Sequence, residues 1–365
     1  MNIQNNPNIN FKGYDARRLK GFFMGANSGG IIESMQCIGR KEDFKIYSKL
    51  RRGDKIICDE TIPDAIPLGD QFIWAQDIWT FTKDKLLTTE HQKRIEPICE
   101  RFNLPKVDTQ KHVSGGNIFI TDNNGVDELF IGEDELKKIS IAELRKKYGV
   151  NKIHILPQMD YHLDLFIRPL DNKRILIADD NLTLQVLEKG KKQFEEFTQN
   201  SEKGNNPIAK TIKFRFNHLI NSFKKDIRKN DLPQTEEIEK ILLHSGYEPI
   251  RVPGRFYQTT IFTKEMPQTF LSHDCNYMNA NVLKNKDGDI IYITNKSNLD
   301  RELLLTSSYT DGLNFSFEKE FVKSLEPYVK PEKVYFIDGN HHYISEKMLK
   351  DMQGGIHCAC SEIPM

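Results

Sequence analysis

The chain has 365 residues, 38% of them hydrophobic, and its 52 basic side chains balance 52 acidic ones. This length fills one large domain or two ordinary ones, and zero net charge disfavours a general nucleic-acid binder, which usually carries a basic excess. The polar first ten residues lack the apolar segment of a signal peptide, and no apolar run is long enough to predict a membrane span. We therefore expect a cytoplasmic protein that binds neither nucleic acid nor membranes, with export that needs no cleaved signal peptide as the alternative.

Short apolar, β-branched runs alternate with helical patterns along most of the chain. Turn residues separate the runs, so several of them predict hairpins. The predicted strands cover residues 117–120, 129–131, 152–156, 162–168, 174–178, 289–293 and 334–337, and the predicted helices cover residues 140–148, 317–329 and 345–352. Groups of two strands, a helix and another strand recur, which favours a repeated α/β unit over one long parallel sheet.

One segment differs from this pattern. Residues 184–244 are rich in lysine and glutamate and show helical periodicity at 185–197, 212–228 and 235–244, interrupted by a polar loop at 200–206. We interpret residues 184–245 as a helical insertion within a single domain of residues 1–365, and expect residues 1–15 to be disordered. A solvated helical face is the expected role of the lysines, ahead of a binding patch.

Two polar residues interrupt the apolar stretch at 162–168. His162 and Asp164 are two positions apart, so strand alternation would place both side chains on one face. A polar pair in such a stretch suggests a site, although the exposed face of an edge strand would give the same pattern.

Two further motifs could bind a cation or a ligand. Asp77 lies between Trp74 and Trp79, so that a cation could be held by the carboxylate and stacked on an indole; two core tryptophans and a helix-capping aspartate are the alternative. The run Ser114-Gly115-Gly116-Asn117 is predicted to open a strand. Paired glycines let backbone approach a ligand closely, although a plain turn would have the same sequence.

The cysteines are few, and without a secretory signal they are expected to be reduced. Cys358 and Cys360 are predicted to share one face of a terminal strand. A metal site would need His357, or His273 with Cys275, and the spacing differs from that of common zinc sites, so we expect no metal. Reactivity of Cys358 would need a nearby positive charge, which a bound guanidinium could supply; a buried structural thiol is the alternative.

Taken in order, these motifs resemble the catalytic domain of the peptidylarginine deiminases, in the guanidine-modifying or pentein superfamily. The resemblance covers roughly residues 60–365. It rests on Trp74-x-Gln76-Asp77, Ser114-x-Gly116-Asn117, His162-x-Asp164 and Gly355-x-His357-Cys358, with support from Asn279-x-Asn281 and from the segments at 317–327 and 334–338.

The resemblance implies an α/β propeller of five ββαβ-type blades around a pseudo-fivefold axis, and hydrolysis of a guanidinium to a ureido group with release of ammonia. Cys358 would be the nucleophile and His162 the general acid and base, while Asp77 and Asp164 would grip the guanidinium. The implied substrate-binding residues are Trp74 along the alkyl channel, Gln76, Gly116, Asn117, His357 and, as a contact to peptide backbone at the rim, Arg255. The expected partner is an arginine-containing protein or peptide.

Departures from the family pattern leave alternatives open. The large N-terminal β-sandwich of the vertebrate enzymes has no counterpart here, so we expect no required cofactor and regard calcium activation as doubtful. Agmatine deiminases usually have Trp-x-Arg-Asp and Glu-Gly-Gly-Asn, from which Gln76 and Ser114 depart, favouring a peptidyl-arginine substrate. The alternatives are a deiminase of agmatine or free arginine, an amidinotransferase, a non-catalytic binder of cationic peptides and, least favoured, a papain-like protease.

Overall fold

Short strands alternate with helices and form small mixed sheets, which makes the protein an α/β protein as predicted. The computed structural model describes residues 19–25, 29–52, 55–59, 74–82, 85–104, 106–110, 113–123, 126–159, 162–199, 206–230, 232–256, 275–296, 299–337 and 355–364. Two sequence-based expectations, disorder at residues 1–15 and a helix at 345–352, lie outside these ranges. No helix in the described ranges is long and apolar enough to span a membrane.

The first and last strands of the chain belong to one sheet. Its elements are β1 (Leu19–Met24), α1 (Gly29–Glu42), β2 (Lys45–Arg52), β3 (Lys55–Asp59), the short helix α10 (Ile356–Ala359) and β18 (Cys360–Pro364). Strand β1 pairs with β18 antiparallel and with β2 parallel, and α1 makes the crossover that a parallel pair requires. Pairing with β1 therefore fixes the segment that carries Cys358.

The next two sheets repeat this arrangement of strands and helix. The first follows helix α2 (Ala75–Ile78) and contains β4 (Trp79–Phe81), β5 (Lys85–Thr88), α3 (Gln92–Phe102) and β6 (Lys106–Asp108). The second contains β7 (Ile118–Asn123), β8 (Val126–Gly132), α4 (Ile141–Tyr148) and β9 (Lys152–Leu156). In each sheet the first two strands are antiparallel and the third is parallel to the second. The predicted hairpin at 117–131 and strand at 152–156 are confirmed.

The predicted helical insertion forms the crossover of the fourth sheet. Strands β10 (Ile167–Pro169) and β11 (Arg174–Ala178) are followed by α5 (Asp180–Gln199), α6 (Pro207–Asn230), α7 (Leu232–His244) and β12 (Glu248–Val252). A two-stranded sheet follows, made of β13 (Arg255–Phe256) and β14 (Cys275–Asn276). The fifth unit contains β15 (Asn281–Lys284), β16 (Ile290–Asn295), α8 (Leu299–Glu302), α9 (Phe317–Leu325) and β17 (Val334–Ile337). The described residues thus contain five ββαβ-type units.

Three predicted elements differ from the structure. Strand β10 begins only at Ile167, because the amide of Leu163 is bound by a side chain and residues 163–165 form a 3₁₀ turn. Helix α9 ends at Leu325, two residues before Pro327, which has no backbone N–H with which to continue the helix. Cys358 lies in a helical turn and not in a strand, so it does not share a strand face with Cys360.

Candidate active site

The segment carrying Cys358 is anchored by asparagines of the fifth unit. Asn279 Oδ1 accepts a hydrogen bond from the backbone amide of His357 (2.9 Å), and Asn295 Oδ1 accepts one from the next amide upstream (2.9 Å). A Cβ atom at Gly355 would lie 2.5 Å from both side chains, so only glycine allows this close approach. The glycine of the Gly-x-His-Cys motif therefore has a steric role.

Cys358 is a buried thiol beside a carboxylate. Its Sγ lies 3.2 Å from Asn279 Nδ2 and 3.5 Å from Asp164 Oδ2. Burial raises the pKa of Cys358 well above its usual value, and the negative charge of Asp164 raises it further. The thiol is therefore protonated at neutral pH in the ligand-free protein, and a cation bound nearby would favour the thiolate.

Asp164 lies on the 3₁₀ turn at the centre of the site and is fully buried. Its Oδ2 accepts hydrogen bonds from His357 Nδ1 (2.8 Å) and Asn279 Nδ2 (2.8 Å). Its Oδ1 has no hydrogen-bond partner among the described residues. Burial alone would raise the pKa of Asp164, but the hydrogen bond from His357 and the nearby charge of Arg168 outweigh burial and lower it. The site thus holds a buried carboxylate with one oxygen available to a ligand.

His357 forms a hydrogen bond with this carboxylate, and Gln76 forms one with His357. Burial and the charge of Arg168 lower the pKa of His357 to about 4, so its ring is neutral at pH 7. Gln76 Nε2 lies 2.8 Å from His357 Nδ1 and 3.0 Å from Nε2. Because Nδ1–H is donated to Asp164, Nε2 is the nitrogen left to accept from Gln76. His357 therefore supports Asp164 and Gln76 supports His357, while contact of either residue with substrate stays a prediction.

Asp77 supplies the second carboxylate, from helix α2. It is partly exposed, and its Oδ1 accepts hydrogen bonds from Ser114 Oγ (2.8 Å) and the Gly115 amide (3.2 Å). A Cβ at Gly115 would lie 2.2 Å from the carbonyl oxygen of Gln76, so the loop can approach only with glycine there. The run at 114–117 forms a 3₁₀ turn before β7, and its first glycine brings the turn against α2.

His162 lies on the other side of the same loop. Its Nε2 is 2.8 Å from Ser114 Oγ, and a Cβ at Gly116 would lie 2.5 Å from its Nδ1. Asn117 Oδ1 accepts a hydrogen bond from the Leu163 amide (3.0 Å), while its Nδ2 donates to Glu135 (2.7 Å). Gly116 thus leaves room for the imidazole, and Asn117 fixes the turn that carries Asp164; substrate binding by these two residues stays a prediction.

The structure brings the predicted nucleophile, imidazole and carboxylate together. Ligand atoms of His162, Asp164 and Cys358 all lie within 4.8 Å of one another. The strand alternation from which we paired His162 with Asp164 is wrong, because a 3₁₀ turn and not a strand joins them. This trio could also hold a metal ion, and it is not the set considered from the sequence.

The other predicted substrate contacts differ in their surroundings. Trp74 is half-buried against an apolar cluster that includes Ile356 and Ala359, on either side of Cys358, so its place along the alkyl channel stays a prediction; Trp79 is a core residue. Arg255 was expected at an exposed rim, and this placement is wrong: it is 2% exposed, with Nη2 3.6 Å from Asp180 Oδ2. Its charge is placed to balance the buried Asp180 carboxylate.

Comparison with known proteins identifies the fold. No family model matches the sequence, and no similar curated protein was found. Among solved structures, an agmatine deiminase from C. jejuni superposes with a TM-score of 0.51, covering 97% of this chain and 96% of its own, at 12% identity. A protein provisionally assigned as a peptidyl-arginine deiminase superposes with a TM-score of 0.53, covering 98% and 100%, also at 12% identity. The chain has a pentein fold. At such low identity the likeness shows the fold alone, and this fold is the one that the motifs led us to expect.

Within the pentein fold, sequence reasoning missed three residues of the site. Asn279 was noted only as part of a strand motif, although it contacts both Asp164 and Cys358. Ser114 was noted only as the start of a turn. Arg168 is fully buried, with its guanidinium 4.7 Å from the ring centroid of Phe119. The one signal for Arg168 was a cation inside an otherwise apolar strand.

Proposed function

We propose that the protein is a guanidine hydrolase that uses Cys358 as its nucleophile, with the five ββαβ-type units closed as blades around a central site. The observation that carries this proposal is the free Oδ1 of Asp164, fully buried within a few ångströms of the Cys358 thiol. A buried carboxylate oxygen without a partner is costly, so the site favours a ligand that donates hydrogen bonds and carries positive charge.

A guanidinium fits this requirement better than an ammonium. It is planar, keeps its charge at neutral pH and presents N–H groups in a fixed geometry that carboxylates can bind from two directions. Asp77 Oδ1 is already used by Ser114 and Gly115, so its second oxygen is the one directed to substrate. Two carboxylates would hold the guanidinium carbon over Cys358.

A bound cation would also lower the raised pKa of Cys358. Its charge offsets that of Asp164, so the thiol can lose its proton to His162 as Sγ bonds to the guanidinium carbon. His162 then returns the proton to a departing nitrogen, the C–N bond breaks and ammonia leaves. Water attacks the thiouronium with His162 as base, the C–S bond breaks, and a ureido product and the free thiol result.

For the substrate we propose peptidyl-arginine, which would become peptidyl-citrulline in a reaction that requires no cofactor. Support comes from Gln76 and Ser114, where agmatine deiminases usually have arginine and glutamate. In the structure Gln76 forms a hydrogen bond with His357, and Ser114 forms hydrogen bonds with Asp77 and His162. Both residues that differ from the agmatine deiminase pattern therefore contact residues of the proposed site. Agmatine or free arginine is the alternative substrate, and an amine in place of water would make the protein an amidinotransferase.

The test measures ammonia and ureido product from an N-acyl-arginine amide peptide, free arginine and agmatine, each with calcium and with a chelator. We expect the peptide to react fastest, equally well under both conditions, with Cys358→Ala inactive. Agmatine favoured by tenfold in kcat/KM, about 1.4 kcal/mol, would overturn the peptidyl assignment. No product from any of the three would overturn the hydrolase proposal.

A further inference from the structure

We infer that Ser114 is a positioning residue that joins Asp77 to His162 and fixes the tautomer of the imidazole. The Ser114 hydroxyl lies 2.8 Å from Asp77 Oδ1 and 2.8 Å from His162 Nε2, so one side chain bridges a substrate-binding carboxylate and the acid–base residue. The kinetic part of this inference rests on the proposed function; the structural part does not.

The direction of the hydrogen bonds follows from donor and acceptor counts. A hydroxyl has one hydrogen, and an ionised carboxylate can only accept. Ser114 therefore donates to Asp77, and its oxygen can only accept from His162. The hydrogen must then be on Nε2, which leaves Nδ1 as the basic nitrogen of the neutral ring.

Gly116 leaves room for that nitrogen, which is buried against the 114–116 run. A Cβ atom at this position would lie 2.5 Å from His162 Nδ1 and 2.7 Å from the adjacent ring carbon Cγ. The serine at one end of the 114–116 run thus orients Nε2, and the glycine at the other leaves space at Nδ1. This assigns the proton transfers of the proposed reaction to Nδ1.

Removing the hydroxyl should affect turnover more than substrate binding. In Ser114→Ala, Asp77 Oδ1 still accepts from the Gly115 amide, so the carboxylate keeps one of its two supports. His162 loses the acceptor that holds Nε2–H. We expect kcat to fall on the order of 10- to 100-fold, part of what general acid–base catalysis supplies, with KM changed less than about threefold.

The experiment combines this kinetic split with nitrogen NMR of the full-length protein labelled with ¹⁵N-histidine. His162→Asn identifies the His162 resonances, and a chelator keeps the thiol and imidazole free of metal. The wild-type protein and Ser114→Thr, which keeps a hydroxyl, should show the Nε2–H tautomer, and Ser114→Ala should lose it. Ser140→Ala is the matched control: it removes an exposed serine hydroxyl that caps α4 and should leave the His162 signals unchanged.

The outcomes separate the two proposals. A tautomer that depends on Ser114, together with the fall in kcat and rescue by threonine, supports both. The same tautomer change in a protein that is inactive on every guanidine supports the positioning role and overturns the proposed function. An Nε2–H tautomer that persists in Ser114→Ala overturns the positioning role, whatever the activity.

Discussion

At the scale of single residues, the site is a set of polar groups whose protonation depends on burial. Cys358 and Asp164 are both buried, yet the pKa of the thiol is raised and that of the carboxylate is lowered. The difference arises because the hydrogen bond from His357 and nearby positive charge lower the pKa of Asp164, whereas the thiol faces the resulting negative charge. The ligand-free site is therefore an anion beside a neutral thiol.

Chemical labelling should distinguish Cys358 from the other cysteines. A cationic haloacetamidine should label Cys358 faster than neutral iodoacetamide does at pH 7, because only the cation can engage Asp164 and favour the thiolate. Mass spectrometry of the labelled peptide checks the position. Cys358→Ala should abolish turnover and labelling, while Cys360→Ala should retain most of both; labelling chiefly at Cys360 would contradict the assignment.

Neutralising either carboxylate of the site should lower activity strongly. Asp164→Asn and Asp77→Asn should each lower kcat/KM by at least about 30-fold, since truncating one partner of a buried charge pair typically costs about 2 kcal/mol or more. Steady-state kinetics with the preferred substrate measures the loss. Asp311→Asn makes the same change at an exposed position and should be nearly silent. Near-normal kcat/KM in both site variants would contradict the proposal that the two carboxylates hold the guanidinium.

At the scale of the elements, a buried acid links α8 to α9. Asp300 Oδ1 accepts a hydrogen bond from the Phe317 amide at the start of α9 (3.2 Å). Burial raises the pKa of Asp300 to about 7, by more than the Phe317 amide lowers it, and Glu318 raises it further. The Asp300 carboxyl therefore stays protonated to higher pH in the folded protein than in the unfolded chain, where its pKa is near the ordinary 3.8.

This raised pKa predicts how stability depends on pH. The contribution of Asp300 to the free energy of unfolding is fully present below about pH 4 and is lost as pH rises through about 7. The loss occurs because the carboxyl ionises at lower pH in the unfolded chain than in the folded protein. Asp300→Asn cannot titrate, so the Tm of the wild type relative to this variant should fall between pH 4 and 8. Thermal unfolding at several pH values measures the difference; a constant offset, as expected for Asp311→Asn, would contradict it.

At the scale of the whole molecule, β18 joins two sheets and directly follows α10, the helix that carries Cys358. It pairs with β1, and its Ile363 is buried with Phe23 and Trp79, whose ring centroids are 4.9 Å apart in an edge-to-face contact. The last strand thus joins the first sheet to the sheet that follows α2. Order at Cys358 depends on packing between sheets that are distant in sequence.

Ile363→Ala should therefore destabilise the protein while leaving every polar group of the site in place. We expect a loss of about 2–5 kcal/mol in the free energy of unfolding, the usual cost of deleting a fully buried isoleucine. Ile155→Ala, in β9 at 37% exposure, is the matched control and should cost under about 1 kcal/mol. Denaturant unfolding compares the two; equal losses would show that burial of Ile363 between the two sheets does not add to stability.

The sequence alone determined the repeated α/β unit and the residue types of the site. Apolar runs with turn residues predicted the strands at 152–156 and 334–337, and a helical pattern predicted the helix at 140–148, which the structure has at Ile141–Tyr148. These signals are local, so they survive without knowledge of the rest of the chain. The residue types of the site, a thiol, an imidazole and two carboxylates, also stand in the sequence.

Tertiary structure alone decided which of those residues contact one another and which are buried. Asp164 and Cys358 are 194 positions apart, and Gln76 and His357 are 281 apart, so their hydrogen bonds leave no local pattern. Glycines at 115, 116 and 355 are required by contacts with other parts of the chain. Burial then sets the protonation of each group, because the cost of a charge depends on every neighbour that the fold brings against it.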